Sequence, residues 1–73
     1  MQLLSEKITS ALRNNSKAIY RLSYEFDKHT NTIKRWLDEN DQGMITDLLT
    51  PQGLRAISEE LEVKRNELLT EAD

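Results

Sequence analysis

Seventy-three residues without cysteine, 37% hydrophobic and 32% charged, make one small domain whose core must hold without disulfides or thiolate-bound metal. The net charge of −3 hides a division, because residues 1–37 carry seven Lys/Arg against three Asp/Glu and residues 38–73 carry three against ten. An acidic total disfavours non-specific nucleic-acid binding, while a basic first half leaves room for one phosphate-attracting face.

The opening MQLLSEKI has neither a basic segment nor a long apolar run, so it does not read as a signal peptide. No stretch approaches the length of a membrane-spanning helix, and a cytoplasmic protein without a membrane partner is expected. Leu4, Ile8, Ala11 and Leu12 recur at helical spacing over residues 3–13, with Ser5 placed to cap the start. RNNS (13–16) breaks that helix and offers Asn15 or Ser16 as the next cap. A second helix over 17–26 turns Ala18, Ile19, Leu22 and Phe26 inward. Asp27–Lys28 ends it without glycine, so the turn uses ordinary dihedrals or tolerates a left-handed residue. His29 or Thr30 then caps a third helix to about Asn40, closed by ENDQG with Gly43 just past its end.

MITDLL (44–49) reads either as a short helix or as an apolar loop across the core. Thr50–Pro51 is a helix start, a Thr cap followed by Pro at the first helical position. The fourth helix, 51–61, buries Leu54, Ile57 and Leu61; Val63 packs at a bend, and a fifth over 64–71 buries Leu68 and Leu69. Glu67 and Glu71 oppose the dipole there, so 70–73 are expected to fray. No strand alternation is visible, and an all-α, compact five-helix fold is expected for the single domain 1–73.

At about 100° per residue, Ile33, Trp36 and Leu37 share one arc of the third helix, and Asn31, Lys34, Arg35 and Asp38 the opposite one. Asparagine can pair bidentately with adenine, and Arg or Lys can address guanine or a phosphate. Lys17, at the start of the second helix, stands where free N–H groups also favour a phosphate.

These residues together resemble the helix-turn-helix family typified by Cro and the phage repressors. The matching positions are Ser23 after Leu22, the turn four residues on at Asp27, and then Thr32, Ile33, Arg35 and Trp36. The closing segment AISEELEVKRNELL (56–69) matches the family's second half through Ile57, Leu61, Val63, Glu67, Leu68 and Leu69. Asp27 and Lys28 replace the usual Gly and Val of the turn, and Ser58 and Glu62 replace Ala and Gly of the second half. The resemblance implies a helix-turn-helix unit over about 17–40 and a small sequence-specific transcriptional regulator of a bacterial cell or phage-infected host. It implies double-stranded DNA as partner, with the helix from Thr30 to Asn40 in the major groove. The expected DNA-binding residues are Lys17, Lys28, His29, Thr30, Asn31, Lys34 and Arg35. The alternative is a protein-interaction module on the same fold that leaves DNA alone.

The second half itself resembles the unit, with Ser23/Ser58, Glu25/Glu60 and Asn31/Asn66 at equivalent positions, but three identities are too few to establish a repeat. Glu59, Glu60, Glu62 and Glu67 would repel phosphates, so the second copy is read as scaffold. The lone His29 has no partners for a zinc site, and Ser23, Asp27 and His29 lack an oxyanion hole. No catalysis, metal, cofactor or small-molecule substrate is expected. Met44, Ile45, Leu48, Leu49 and Leu69 exceed the needs of one small core, which makes a homodimer interface an expectation.

Overall fold

In the computed structural model, which describes residues 2–71, the chain runs through β1 (Gln2–Leu4), α1 (Glu6–Arg13), α2 (Ser16–Phe26) and α3 (Thr30–Asp41). A 3₁₀ turn at Asp47–Leu49, α4 (Pro51–Leu61), a second 3₁₀ turn at Arg65–Glu67 and β2 (Leu69–Glu71) complete it. Helices start where short polar side chains can accept a free backbone N–H. Ser5 caps α1, Asn15 caps α2 and Thr50 caps α4, accepting from Ile8, Ala18 and Gly53 respectively. α3 ends on Gly43 at φ 86°, with the Gly43 and Met44 N–H groups donating back to Asn40 and Glu39.

Ile8, Leu12, Ala18, Ile19, Leu22, Ile33, Leu37, Leu48, Leu54, Ile57 and Leu68 form one continuous core. Trp36 closes it from α3, meeting Phe26 edge-on with ring centroids 5.4 Å apart. The 44–49 segment resolves as a 3₁₀ turn whose Leu48 is fully buried. Gly53 of α4 lies directly on that turn, and a Cβ there would stand 2.4 Å from the Leu48 carbonyl oxygen. Leu48 is therefore not available to an interface, and Leu49 and Leu69 also pack on the core. Of the five apolar residues expected to exceed the core, Met44 and Ile45 remain exposed.

Four α-helices stand where five were expected, and a small antiparallel ribbon takes the place of the fifth. β1 and β2 pair with Gln2 opposite Glu71, Leu3 opposite Thr70 and Leu4 opposite Leu69. The Ser5 N–H extends the ladder to the Leu68 carbonyl at 2.9 Å. A helix of about eight residues is marginal by itself, whereas the ribbon satisfies two backbone segments and covers Leu3, Leu4 and Leu68, all buried. The same pairing shortens the first helix, which begins at Glu6. Thr70 and Glu71 are thus held in a strand; the rest of the tail expected to fray, residues 72–73, lies outside the described residues.

The outer edge of β1 is closed by a side chain. The buried Asn40 of α3 accepts from the Leu4 N–H and donates to the Leu4 carbonyl, both at 3.0 Å. One amide thereby does the work of a third strand at that position. Removing it strands two backbone groups away from solvent, so Asn40→Ala should cost about 1–3 kcal/mol in urea denaturation. Asn40→Asp should cost more, because a carboxylate opposes the Leu4 carbonyl. A wild-type midpoint in Asn40→Ala would show that water satisfies the strand edge instead.

The suspected repeat is present in the backbone. α2 and α4 have the same length and lie thirty-five positions apart, Ser16 to Pro51 and Phe26 to Leu61. Each is followed by a non-glycine residue in the left-handed region, Asp27 (φ 51°, ψ 48°) and Glu62 (φ 56°, ψ 42°). In both copies a serine hydroxyl one turn earlier closes the bend, Ser23 donating to the Lys28 carbonyl and Ser58 to the Val63 carbonyl. The left-handed conformation costs a β-carbon-bearing residue roughly 1–2 kcal/mol, partly offset in any glycine variant by greater unfolded-state freedom. Glu62→Gly should therefore stabilise the protein by about 0.5–1 kcal/mol, a rise of a few degrees in Tm for a domain of this size. A lower Tm would mean that the bend is not strained.

Candidate nucleic-acid interface

The Asp27 bend sets where α3 starts. After it the chain extends through His29 (φ −65°, ψ 149°), whose Nδ1 accepts the Asn31 N–H at 3.1 Å. His29 is thus the cap of α3, and the accepting Nδ1 places the proton of the neutral ring on Nε2. Ile33, Trp36 and Leu37 turn into the core, which leaves Asn31, Lys34, Arg35 and Asp38 exposed.

The expected site residues form a stripe, not a cluster. Lys17, Lys28, His29, Asn31, Lys34 and Arg35 are exposed and Thr30 is half-buried. Lys17 and Lys28 flank the two ends of α2, separated by about 16 Å of helix. Thr30 and Lys34 come together in a cleft of about 100 Å³ between α2 and α3, which Arg13, Ser16, Ile19 and Tyr20 also line. Arg35 leans on Glu39 at 3.7 Å. Lys17, Lys28 and Lys34 have no carboxylate within ion-pair distance among the described residues.

Two contributors to this face escaped the sequence reading. Ser16 and Tyr20 line the cleft together with Thr30 and Lys34. Tyr20 is 67% exposed and Tyr24, one turn on, is 86% exposed. Their signal was legible: Lys17, Tyr20 and Tyr24 share the arc opposite Ala18, Ile19 and Leu22.

Several acidic residues are drawn away from that stripe, although Asp27 and Asp38 remain exposed beside it. Arg13 of α1 binds Asp38 at 2.8 Å and Asp41 at 2.7 Å, drawing the carboxylates of the far half of α3 toward α1. Its hydrogen bond to Asp41 is the main reason its proton is held more tightly than usual. On the α2–α4 side, Arg21 gathers Glu59 at 2.7 Å and Glu60 and Glu25 at 3.1 Å, and these three bonds raise its pKa further. The Gln52 amide, then the Arg21 guanidinium, holds Glu25 below its ordinary value of 4.5. A depressed carboxylate stabilises the fold above that value and loses its contribution as pH falls through the lower folded value. Glu25→Gln should therefore be less stable than wild type at pH 7, with the gap narrowing below pH 4.5. Parallel urea curves over pH 3–7 measure it, and a gap independent of pH would show that the ionised form is not what matters.

Among the described residues no group of three or more His, Asp or Glu is placed to hold a metal ion, and no helix is long and apolar enough to cross a membrane. No protein-family model, curated protein or solved structure matches the chain.

Proposed function

We propose that the chain is a small sequence-specific regulator of the Cro and phage-repressor kind, binding double-stranded DNA with α3 in the major groove. The observation that carries this reading is electrostatic. In a chain of net charge −3, Lys17, Lys28 and Lys34 are left without carboxylate partners among the described residues, beside an exposed Asn31 at the start of α3. Folding does not require that arrangement; a polyanion would reward it.

The roles follow from position. Asn31 and Lys34, on the solvent arc of α3, address base edges, with Thr30 assisting from the first turn. Lys17, Lys28 and Arg35 hold phosphates, and His29 serves the site by capping the helix that carries Asn31. Tyr20 and Ser16 add hydroxyl donors beside Lys34.

Selection from a random duplex pool at moderate salt tests the reading. With about three to five phosphates neutralised per protomer, log affinity should fall with log salt at a slope of about −3 to −4.5. Lys28→Ala should weaken binding to every sequence alike and flatten the slope by about one unit. Asn31→Ala should cost roughly 1–3 kcal/mol on the selected site and little elsewhere. The DNA reading fails if no sequence is enriched and alanine at Lys28, Lys34 and Arg35 changes nothing. A protein-interaction module then takes its place, favoured by Met44 and Ile45, which are 49% and 67% exposed. The same pair is what remains for a homodimer contact.

A further inference from the structure

The backbone repeat gives the cleft beside Tyr20 a counterpart. Thirty-five positions on, Arg55 stands for Tyr20, Arg65 for Thr30 and Lys64 for His29. Pro51, Gln52, Arg55 and Arg65 line a groove of about 320 Å³ between the first turns of α4 and the 3₁₀ turn Arg65–Glu67. Arg55, Lys64 and Arg65 are all the cations that residues 38–73 possess. All three are exposed, and among the described residues none lies within ion-pair distance of a carboxylate.

That isolation is unexpected in the acidic half of the chain. Three acids on the α2–α4 side are already engaged, since Glu59 and Glu60 bind Arg21 and Glu25 binds Arg21 and Gln52. Glu62 and Glu67, by contrast, are exposed and make no ion pair among the described residues. Arg55 feels the Glu25 carboxylate only through space, without a direct ion pair, and two guanidiniums lining one groove repel each other. Planar guanidinium donors match phosphate oxygens in charge and geometry. Position links the groove to the basic stripe. The Gln52 side-chain amide donates to the Glu25 backbone carbonyl at 2.7 Å, which seats the start of α4 against the last turn of α2. The Asp27 bend and Lys28 follow within three residues.

We propose that the groove formed by Gln52, Arg55 and Arg65 is a second phosphate seat, taking a backbone phosphate of the same duplex that α3 engages. This rests on the DNA reading. The second copy is then a backbone clamp and not scaffold alone, since Glu59 and Glu60 are drawn to Arg21 while Arg55 and Arg65 face outward. Glu62 and Glu67 are exposed beyond the groove lining.

Salt titrations of duplex binding by fluorescence anisotropy test the seat, comparing wild type, R55A/R65A and R55K/R65K. Loss of two phosphate contacts should weaken binding about 10- to 100-fold at 0.1 M salt and flatten the log–log slope by nearly two units. The lysine pair should keep most of the slope, and urea midpoints of both variants should match wild type. Wild-type affinity and slope in R55A/R65A overturn the proposal. If wild type binds no duplex, the DNA reading is what has failed, and the seat is judged separately by titrating inorganic pyrophosphate while following the arginine Nε–H signals. Movement of the Arg55 and Arg65 signals then supports a phosphate seat, and unmoved signals overturn it. Movement together with duplex binding indifferent to R55A/R65A assigns the groove to free phosphate and overturns the backbone contact.

Discussion

Everything presented on the α2–α3 face depends on how the chain passes from Phe26 to Thr30. Ser23 holds Lys28 at both ends: its carbonyl accepts the Lys28 N–H at 3.0 Å, and its hydroxyl donates to the Lys28 carbonyl. Asp27 between them is forced into the left-handed region. Aspartate tolerates that conformation better than most residues, so the bend survives without the glycine that would relieve it. With Lys28 clamped and His29 capping the next helix, the direction of α3 is set by the chain itself. Ile33, Trp36 and Leu37 then enter the core, and the remaining arc must face solvent.

Charge placement completes what the bend begins. The acidic residues outnumber the basic ones, 13 to 10, yet their distribution is uneven on the surface. Two arginines, Arg13 and Arg21, bind five carboxylates between them. Exposed ion pairs of this kind contribute little stability each; their larger effect is on the field. They draw negative charge toward α1 and toward the α2–α4 seam, and the lysines of the stripe stay without ion-pair partners among the described residues. A net charge read from composition alone misses this, because affinity for a polyanion follows the local potential.

The helices and their caps were legible because each signal is local. Ser5, Asn15, the Thr50–Pro51 pair and Gly43 act within four residues of themselves, and helical periodicity named most of the core. The ribbon was not legible. Three-residue strands are too short to show alternation, and Leu3 and Leu4 are both buried, which hides what pattern there is. Asn40 looked like part of a helix end, whereas its role is to bind Leu4, thirty-six residues away. The segment 64–71 has helix-forming composition, and tertiary pairing with β1 overrode it. At the candidate site the exposed arc of α3 was readable from the wheel. The Arg13 and Arg21 ion-pair groups were not, since they join residues distant in sequence. Gly53 could not be read either: its reason is the Leu48 backbone lying against it.

The repeat shows which identities folding keeps. Ser23 and Ser58 match because each closes a left-handed bend. Glu25 and Glu60 both bind Arg21 of α2, which thereby ties α2 to α4. Buried pairs match in kind: Ile19 with Leu54, Leu22 with Ile57 and Ile33 with Leu68. Nothing in the structure explains the Asn31/Asn66 pair. The copies part company after the bend, where one continues as α3 for three turns and the other stops at a single 3₁₀ turn and joins β1. Asn40 belongs to the longer helix, and it closes the edge of the strand that the shorter copy pairs with. The truncation of one unit and the length of the other are therefore a single solution: the ribbon needs α3 to reach Asn40, and α3 gains a buried anchor at its end that holds its exposed start in place.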